Sequence, residues 1–167
     1  RTIHLIKDIQ ALIRLIKVFK QERPDIVHTH TPKAGLLGMI AAKWVGVPIR
    51  LHTVGGMPLM EAKGLKLWIL RQTEKLTYAL AHQVYPNSKG LADYIIKQQF
   101  TTLGKIKVIA NGSSNGVDTD FYRRDFSDAN KKTKELRDRL GFKEDDFIFF
   151  FLGRIAKEKG ISELLEA

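Results

Sequence analysis

Apolar residues near the start of the chain fall at Leu5, Ile9, Leu12, Ile16 and Phe19, with Ile6 and Ile13 beside them. Steps of three and four are those of a helix with one buried apolar stripe, and Lys7, Arg14, Lys17 and Lys20 take its other faces. Pro24 ends this pattern. Ile26-Val27 then reads as a short buried strand running into His28-Thr29-His30. Thr31-Pro32 has the form of a helix start, a hydroxyl to cap and a proline to begin, so a helix is expected from about Ala34 to Val45. Its Gly35, Gly38, Ala41 and Ala42 form a small-residue face able to lie close to a sheet. After the turn Gly46-Val47-Pro48, residues 49–53 read as the next strand, ending in Val54-Gly55-Gly56-Met57-Pro58. Helices at 63–81 and 91–98 and strands at Val84-Tyr85 and Lys107-Val108-Ile109 continue the alternation.

Strands alternating with helices through short loops predict an α/β fold, a doubly wound parallel sheet with helical crossovers. Ligands of such sheets sit beyond the carboxyl ends of the strands. Those ends are residues 28–32, 52–58, 86–88 and 110–118, and they collect histidines, glycines, hydroxyls and amides. The pattern changes after residue 121. Residues 122–134 are polar and charged without apolar periodicity, as in a linker, and 135–140 read as a short helix stopped by Gly141. Phe147 to Leu152 is a continuous apolar run, expected to be a strand buried on both faces. Gly153-Arg154 follow at once, then Lys159-Gly160 and a helix from Ile161. The expected organisation is a first domain over 1–121, a linker with a short helix over 122–146, and the opening strand, loop and helix of a second Rossmann-like domain over 147–167. Arg1 and Ala167 both fall beside helical patterns, so both ends read as cuts within structure.

Composition narrows the chemistry. The 167 residues include no cysteine, which excludes disulfides, thiolate metal ligands and cysteine nucleophiles. No run of 18 uninterrupted apolar residues is present, so no membrane span is expected. The net charge of +10 is uneven: residues 1–110 hold 17 Lys/Arg against 6 Asp/Glu, and residues 111–167 hold 11 against 12. A basic first part attracts polyanions, whether phosphates or anionic lipid. A basic surface that serves only solubility fits the same numbers. Nucleic acid is not expected, because no binding motif is present and the aromatics, 9 % of residues, are not interleaved with the basic positions.

Three groups of residues could carry chemistry. In Gly153-Arg154-x4-Lys159-Gly160 a basic loop joins a strand to a helix start. Arg154 can grip phosphate oxygens through paired hydrogen bonds and Lys159 adds a point charge, although two solvated surface cations would look the same. The glycine spacing and the Lys-Ser/Thr pair of a Walker loop are missing. His52, at a strand end before Gly55-Gly56, can orient a hydroxyl or polarise a reacting group; a histidine satisfied by local backbone is the alternative. His28 and His30 share a strand face. A three-histidine zinc site with His52 would need a further partner that no nearby Asp or Glu supplies, so His30 is expected in the cleft, His28 in the sheet, and no metal.

Four segments together resemble one family. Pro24-Asp25-Ile26-Val27-His28-Thr29-His30-Thr31-Pro32-Lys33-Ala34-Gly35 is similar to the acceptor-domain strand and loop of the GT-B-type retaining glycosyltransferases of family 4. Leu51-His52-Thr53 resembles its next strand end. Asn115-Gly116-Val117-Asp118, with Phe121, resembles the turn before its interdomain crossover. Phe151-Leu152-Gly153-Arg154 with Lys159-Gly160 resembles the start of its donor domain. The likeness covers nearly the whole chain and is greatest to members that build capsule, O-antigen or similar surface polysaccharides.

This resemblance implies a GT-B fold and transfer of a sugar from a nucleotide-diphosphate sugar to a glycan or lipid-linked acceptor, with retention. It implies no metal and no cofactor, the cations standing in their place. It makes His52 the catalytic residue that orients the sugar, and Gly153, Arg154 and Lys159 the donor-diphosphate site. His30, Thr31, Pro32, Gly55, Gly56, Asn115, Gly116 and Asp118 would border the acceptor cleft. The expected setting is cytoplasmic, peripheral on an anionic inner membrane face. The family's opening Gly-rich loop and its paired donor-domain glutamates have no match here, so this piece alone is expected to be inactive. A GT-B-type sugar-nucleotide epimerase and a non-catalytic basic module binding lipid or polyanion are the alternatives.

Overall fold

A computed structural model describes residues 5–57, 59, 62–113, 115–123, 127–143, 145–155 and 159–166. The chain forms two compact units, Arg1–Gly116 and Val117–Ala167. In the first, the order is α1 (Leu5–Glu22), β1 (Ile26–His30), α2 (Pro32–Val45), β2 (Ile49–Val54), α3 (Gly64–Leu80), β3 (Gln83–Pro86) and α4 (Lys89–Lys97), with a 3₁₀ turn at Leu103–Lys105. The strands form a parallel sheet in the order β1-β2-β3, which is the arrangement that the alternating pattern predicts. Ile26 stands beside Ile49 and His30 beside Thr53; Leu51 stands beside Gln83 and Val54 beside Pro86.

Because side chains alternate along a strand, this register sorts the residues between two faces. Val27, Thr29, Arg50, His52, Val54, Val84 and Pro86 are buried, while Ile26, His28, His30, Leu51, Thr53, Gln83 and Tyr85 are half-buried or exposed. The buried face is closed by α2, whose Gly35, Gly38, Ala41 and Ala42 are all buried, as a small-residue face requires. Met39, Val47, Tyr78, Ala81, Ile95 and Phe100 complete the core. Gly46, at φ 81, ends α2 in the left-handed conformation, which glycine adopts without steric cost. The stripe of α1 is less covered than expected. Leu12, Leu15, Ile16 and Phe19 are half-buried, but Leu5, Ile6, Ile9 and Ile13 are exposed. Lys33 on α2 pairs with Asp8 on α1 at 2.6 Å.

Several expectations are corrected. Residues 107–109 do not form a strand; one bridge, Val84 to Ile106, and the bond from Lys107 N to Val84 O at 3.0 Å are all that pair there. The chain then turns away through Ala110 at φ 50. In the second unit, α5 spans Ser127–Leu140, so helix replaces much of the expected linker. Its Lys, Arg, Glu, Ala and Leu residues favour helix without drawing an apolar stripe, which is why periodicity misses it. Residues 147–152 are not a buried strand: they carry no regular structure, and Phe147 and Leu152 are 84 % and 87 % exposed. A strand buried on both faces needs neighbours at its edges and helices above and below, and the described residues of this unit supply no second strand. A six-residue helix, α6 (Ile161–Glu166), follows Gly160 as expected.

Candidate functional site

The carboxyl ends of β1, β2 and β3 meet at one end of the sheet, and the backbone there is unusually strained. Thr31, Ala110 and Ser113 have φ of 67°, 50° and 65°, three of the five positive values among described non-glycine residues. A β-branched residue at positive φ is an outlier, and such conformations cost about 1–3 kcal/mol and gather at functional sites. Thr31 precedes Pro32 and α2 but makes no side-chain capping bond. The expected hydroxyl cap is therefore corrected: with its backbone at φ 67 and ψ 147, Thr31 lacks the extended geometry that a capping residue uses.

His52 lies just inside this end and is 2 % exposed. Its Nδ1 is hydrogen-bonded to Thr29 Oγ1 at 2.8 Å, and the Tyr78 ring of α3 packs on it at 5.8 Å between centroids. The α2 backbone is so close that a Cβ on Gly35 would come within 2.5 Å of His52 Cε1, and one on Gly38 within 2.6 Å of Thr29 Cγ2. Two glycines a helical turn apart thus receive the hydrogen-bonded pair. Burial, then His30 and His28, push the His52 pKa down to about 4, so the ring is neutral at neutral pH. A pocket of about 10 Å³ adjoins it, lined by Thr31, Pro32, Thr53, Val54, Gly55, Gly56 and Glu74. That is room for about one water molecule.

His28 and His30 share the open face of β1, rings 4.4 Å apart, and His28 Nε2 is hydrogen-bonded to Thr53 Oγ1 at 2.8 Å. Burial and then His30 lower the His28 pKa. His52 belongs to the opposite face with Thr29, so the sheet itself keeps the three imidazoles from converging on an ion. Among the described residues no group of His, Asp and Glu is placed to hold a metal.

A second pocket, about 160 Å³, lies between Thr53, Tyr85, Pro86, Asn87, Ile109, Gly112 and Ser113. Asn87 Nδ2 donates to Gly55 O at 3.1 Å and ties the glycine loop to the β3 end. Gly112, at φ 82, presses against the same residue; a Cβ there would meet Asn87 O at 2.6 Å. Ser113 Oγ donates to Asn115 O at 2.6 Å and accepts from Asn115 N at 3.3 Å. A larger groove, about 860 Å³, runs between α1, α2 and β1. It is mostly apolar and follows an edge of β1 that no described strand pairs, with His28, His30, Thr31 and Lys33 among its lining.

Of the residues singled out from the sequence, His30, Thr31, Pro32, His52, Gly55 and Gly56 come together at this end, and Asn115 is tied to its rim through Ser113. Gly116 closes the first unit. Asp118 belongs to the second, where its Oδ1 accepts from the Asp120 and Phe121 amides at 3.1 and 3.0 Å. Gly153, Arg154 and Lys159 are exposed residues of that second unit; residues 156–158 of their loop, like Pro58 and Ser114, lie outside the described residues. Sequence reasoning missed Glu74 and Tyr78, and took Asn87 only as part of the strand end 86–88. Glu74 had a signal: it sits at helical spacing among Leu67, Leu70, Thr77, Tyr78 and Ala81, a carboxyl on a buried stripe. It is 3 % exposed, and burial raises its pKa against a smaller opposing influence of Tyr78.

Comparison with known proteins agrees with this architecture. Residues 1–112 match the family model described as a glycosyl transferase 4-like domain. The chain is 38 % identical along its whole length to 42 % of the capsular polysaccharide biosynthesis glycosyltransferase CapM of Staphylococcus aureus. It is 36 % identical, again along its whole length, to 41 % of the UDP-Gal:alpha-D-GlcNAc-diphosphoundecaprenol alpha-1,3-galactosyltransferase of Escherichia coli. It therefore spans about two fifths of these relatives. A solved structure, the S. aureus MnaA–UDP co-structure, superposes with a TM-score of 0.51 over 66 % of this chain and 30 % of that one. At 19 % identity this likeness concerns the fold alone.

Proposed function

The chain belongs to the glycosyl transferase 4-like domain family, and on that premise we propose that the whole protein transfers a sugar from a nucleotide-diphosphate sugar to a hydroxyl of a glycan or lipid-linked acceptor, with retention at the anomeric carbon. What carries the reading furthest is the convergence of strand ends in the first unit, where His30, Thr31, Gly55, Gly56, Asn87 and Ser113 offer hydrogen-bond donors and acceptors suited to sugar hydroxyls. His52, expected to orient the sugar itself, is neutral and enclosed, and its proposed role is revised to orienting this end of β2. Gly153, Arg154 and Lys159 serve the donor. A guanidinium and an ammonium can balance the charge that grows on a departing diphosphate, and the reaction then needs no metal and no cofactor.

The relatives named for capsule synthesis and for a diphosphoundecaprenol acceptor support an acceptor carrying a pyrophosphate at a membrane. So does the excess of 17 basic over 6 acidic residues in 1–110. At the start of α3, exposed Leu65 and Trp68 stand beside exposed Lys66 and the preceding Lys63, a mixture suited to an anionic lipid surface. The described helices include none long and apolar enough to cross a membrane; the association proposed is peripheral, at a cytoplasmic face. Failure of anionic vesicles to pellet the protein at low salt would refute it.

The test is product analysis of the full-length protein with a panel of nucleotide sugars and polyprenyl-diphosphate acceptors. Wild type is expected to form a glycosylated acceptor, and Arg154→Ala to lose about 10²–10³-fold in rate with its circular dichroism unchanged. Wild-type turnover by Arg154→Ala removes the assigned role. Conversion of a nucleotide sugar without acceptor means an epimerase, and salt-sensitive binding without nucleotide-sugar preference means a non-catalytic module.

A further inference from the structure

Glu74 is a buried charge-bearing residue that nothing so far employs. It is 3 % exposed, and no Lys or Arg of the described residues is in ion-pair distance of its carboxyl. Arg71 on the same helix lies instead over the Phe100 ring, 5.5 Å from its centroid, and Lys75 is half-exposed. From the sheet the neutral His52 ring borders the same pocket, and Thr31 and Pro32 border it at the start of α2. An ionised carboxylate with no counter-charge is costly to bury, whereas a protonated one is a hydrogen-bond donor and acceptor in a single group.

Its surroundings have hydrogen-bonding capacity to match. Tyr78, one turn further along α3, is fully buried, and among the described residues its hydroxyl finds no partner at hydrogen-bond geometry although Glu74 is near enough to affect it. His52 spends Nδ1 on Thr29, and its ring borders the small pocket together with Glu74. Buried polar groups are normally satisfied; here the Tyr78 hydroxyl beside Glu74 is not, while Glu74 and His52 border a space that holds about one water molecule. The same space is walled by Gly55 and Gly56, the loop that Asn87 anchors from the other side.

We propose that Glu74 is a positioning residue of the β2 end: a proton-bearing carboxyl that links the Tyr78 hydroxyl on one side to the small pocket bordered by His52 on the other, and so holds the Gly55–Gly56 loop in place. No bond to substrate is made or broken by it. Its effect on turnover rests on the transferase reading, but its protonation is measurable without any reaction.

The decisive measurement is a pH titration of this chain labelled with ¹³C at the glutamate carboxyls, with Glu74→Gln to assign the resonance. The Glu74 signal should remain protonated well above the ordinary glutamate value of about 4.3. Titration at that ordinary value overturns the proposal. The ring ¹⁵N shifts of His52 should be preserved in Glu74→Gln, which keeps a neutral donor and acceptor, and should move in Glu74→Leu. In the full-length protein Glu74→Gln should stay within about threefold of wild type, while Glu74→Leu should lose about tenfold or more in kcat/KM, chiefly through acceptor KM. Wild-type shifts and kinetics in Glu74→Leu also overturn the proposal. If Glu74→Leu does not fold, the wild-type titration decides alone. A protein that yields no glycosylated product refutes the transferase reading and leaves the titration and the His52 shifts to judge Glu74.

Discussion

Gly35 and Gly38 should be among the least replaceable glycines in the chain, and the direction of the effect is contrary to ordinary helix preference. Glycine to alanine inside a helix normally gains roughly 0.5–1 kcal/mol. At Gly35 the new methyl would stand 2.5 Å from His52 Cε1 and 3.0 Å from Nδ1, against an optimal carbon contact of about 3.5–4.0 Å. The ring cannot retreat, since Thr29 holds it at 2.8 Å and the Tyr78 ring backs it. Either the imidazole turns and gives up the Thr29 bond, leaving buried polar atoms at about 1–3 kcal/mol, or α2 lifts from the sheet at an overpacking cost of about 1–3 kcal/mol. Subtracting the helix gain, Gly35→Ala should lower stability by about 1–2 kcal/mol. Gly38→Ala should behave alike, because its methyl meets Thr29 Cγ2 at 2.6 Å. Gly90 of α4 is the control: a Cβ there meets nothing within 4 Å, and Gly90→Ala should be neutral or slightly stabilising. Urea unfolding followed by circular dichroism reads all three as shifts of midpoint at constant slope. Adding His52→Ala to Gly35→Ala removes the clash, so the pair should cost less than the sum of the two. If Gly35→Ala is as stable as Gly90→Ala, or if the double variant is simply additive, the close fit of α2 on the Thr29–His52 pair is wrong.

Two further predictions follow from single side chains. His52 has a folded pKa near 4 against about 6.5 when unfolded. Its contribution is therefore fully present above pH 6.5 and is lost as pH falls through 4, amounting to about 3 kcal/mol. Unfolding measured across that window should steepen toward acid in wild type and flatten in His52→Gln, and an unchanged slope would show that the ring is not held neutral. Lys105 Nζ bonds the carbonyls of Tyr78, Ala79 and Ala81 at 3.2, 3.0 and 2.9 Å, capping α3 at the end where a cation is favoured. Lys105→Met should cost about 1–2 kcal/mol and speed amide exchange in the last turn of α3; wild-type exchange there would refute the cap.

The alternation of apolar steps was enough to establish the class of fold, because strand and helix periods differ and short loops between them force parallel strands. Pro24, Pro48 and Gly46 placed the boundaries well, since their constraints are local. The small face of α2 was visible too, but not what it receives. That Gly35 and Gly38 seat His52 and Thr29 depends on the register of β1 against β2, which no local pattern carries. Register also separated His28 and His30 from His52, and so decided against a shared ion. The run at 147–152 misled because its apolar content speaks only of a preference for burial, and burial has to be supplied by neighbours. The charged stretch around α5 hid a helix for the converse reason, that propensity without an apolar stripe leaves no period to see. Glu74, finally, is an ordinary acidic residue on the page of letters. Only packing α3 onto the end of β2 removes it from water, deprives it of a cation and sets it beside His52, and those three circumstances, being properties of the folded surroundings, give the carboxyl its chemistry.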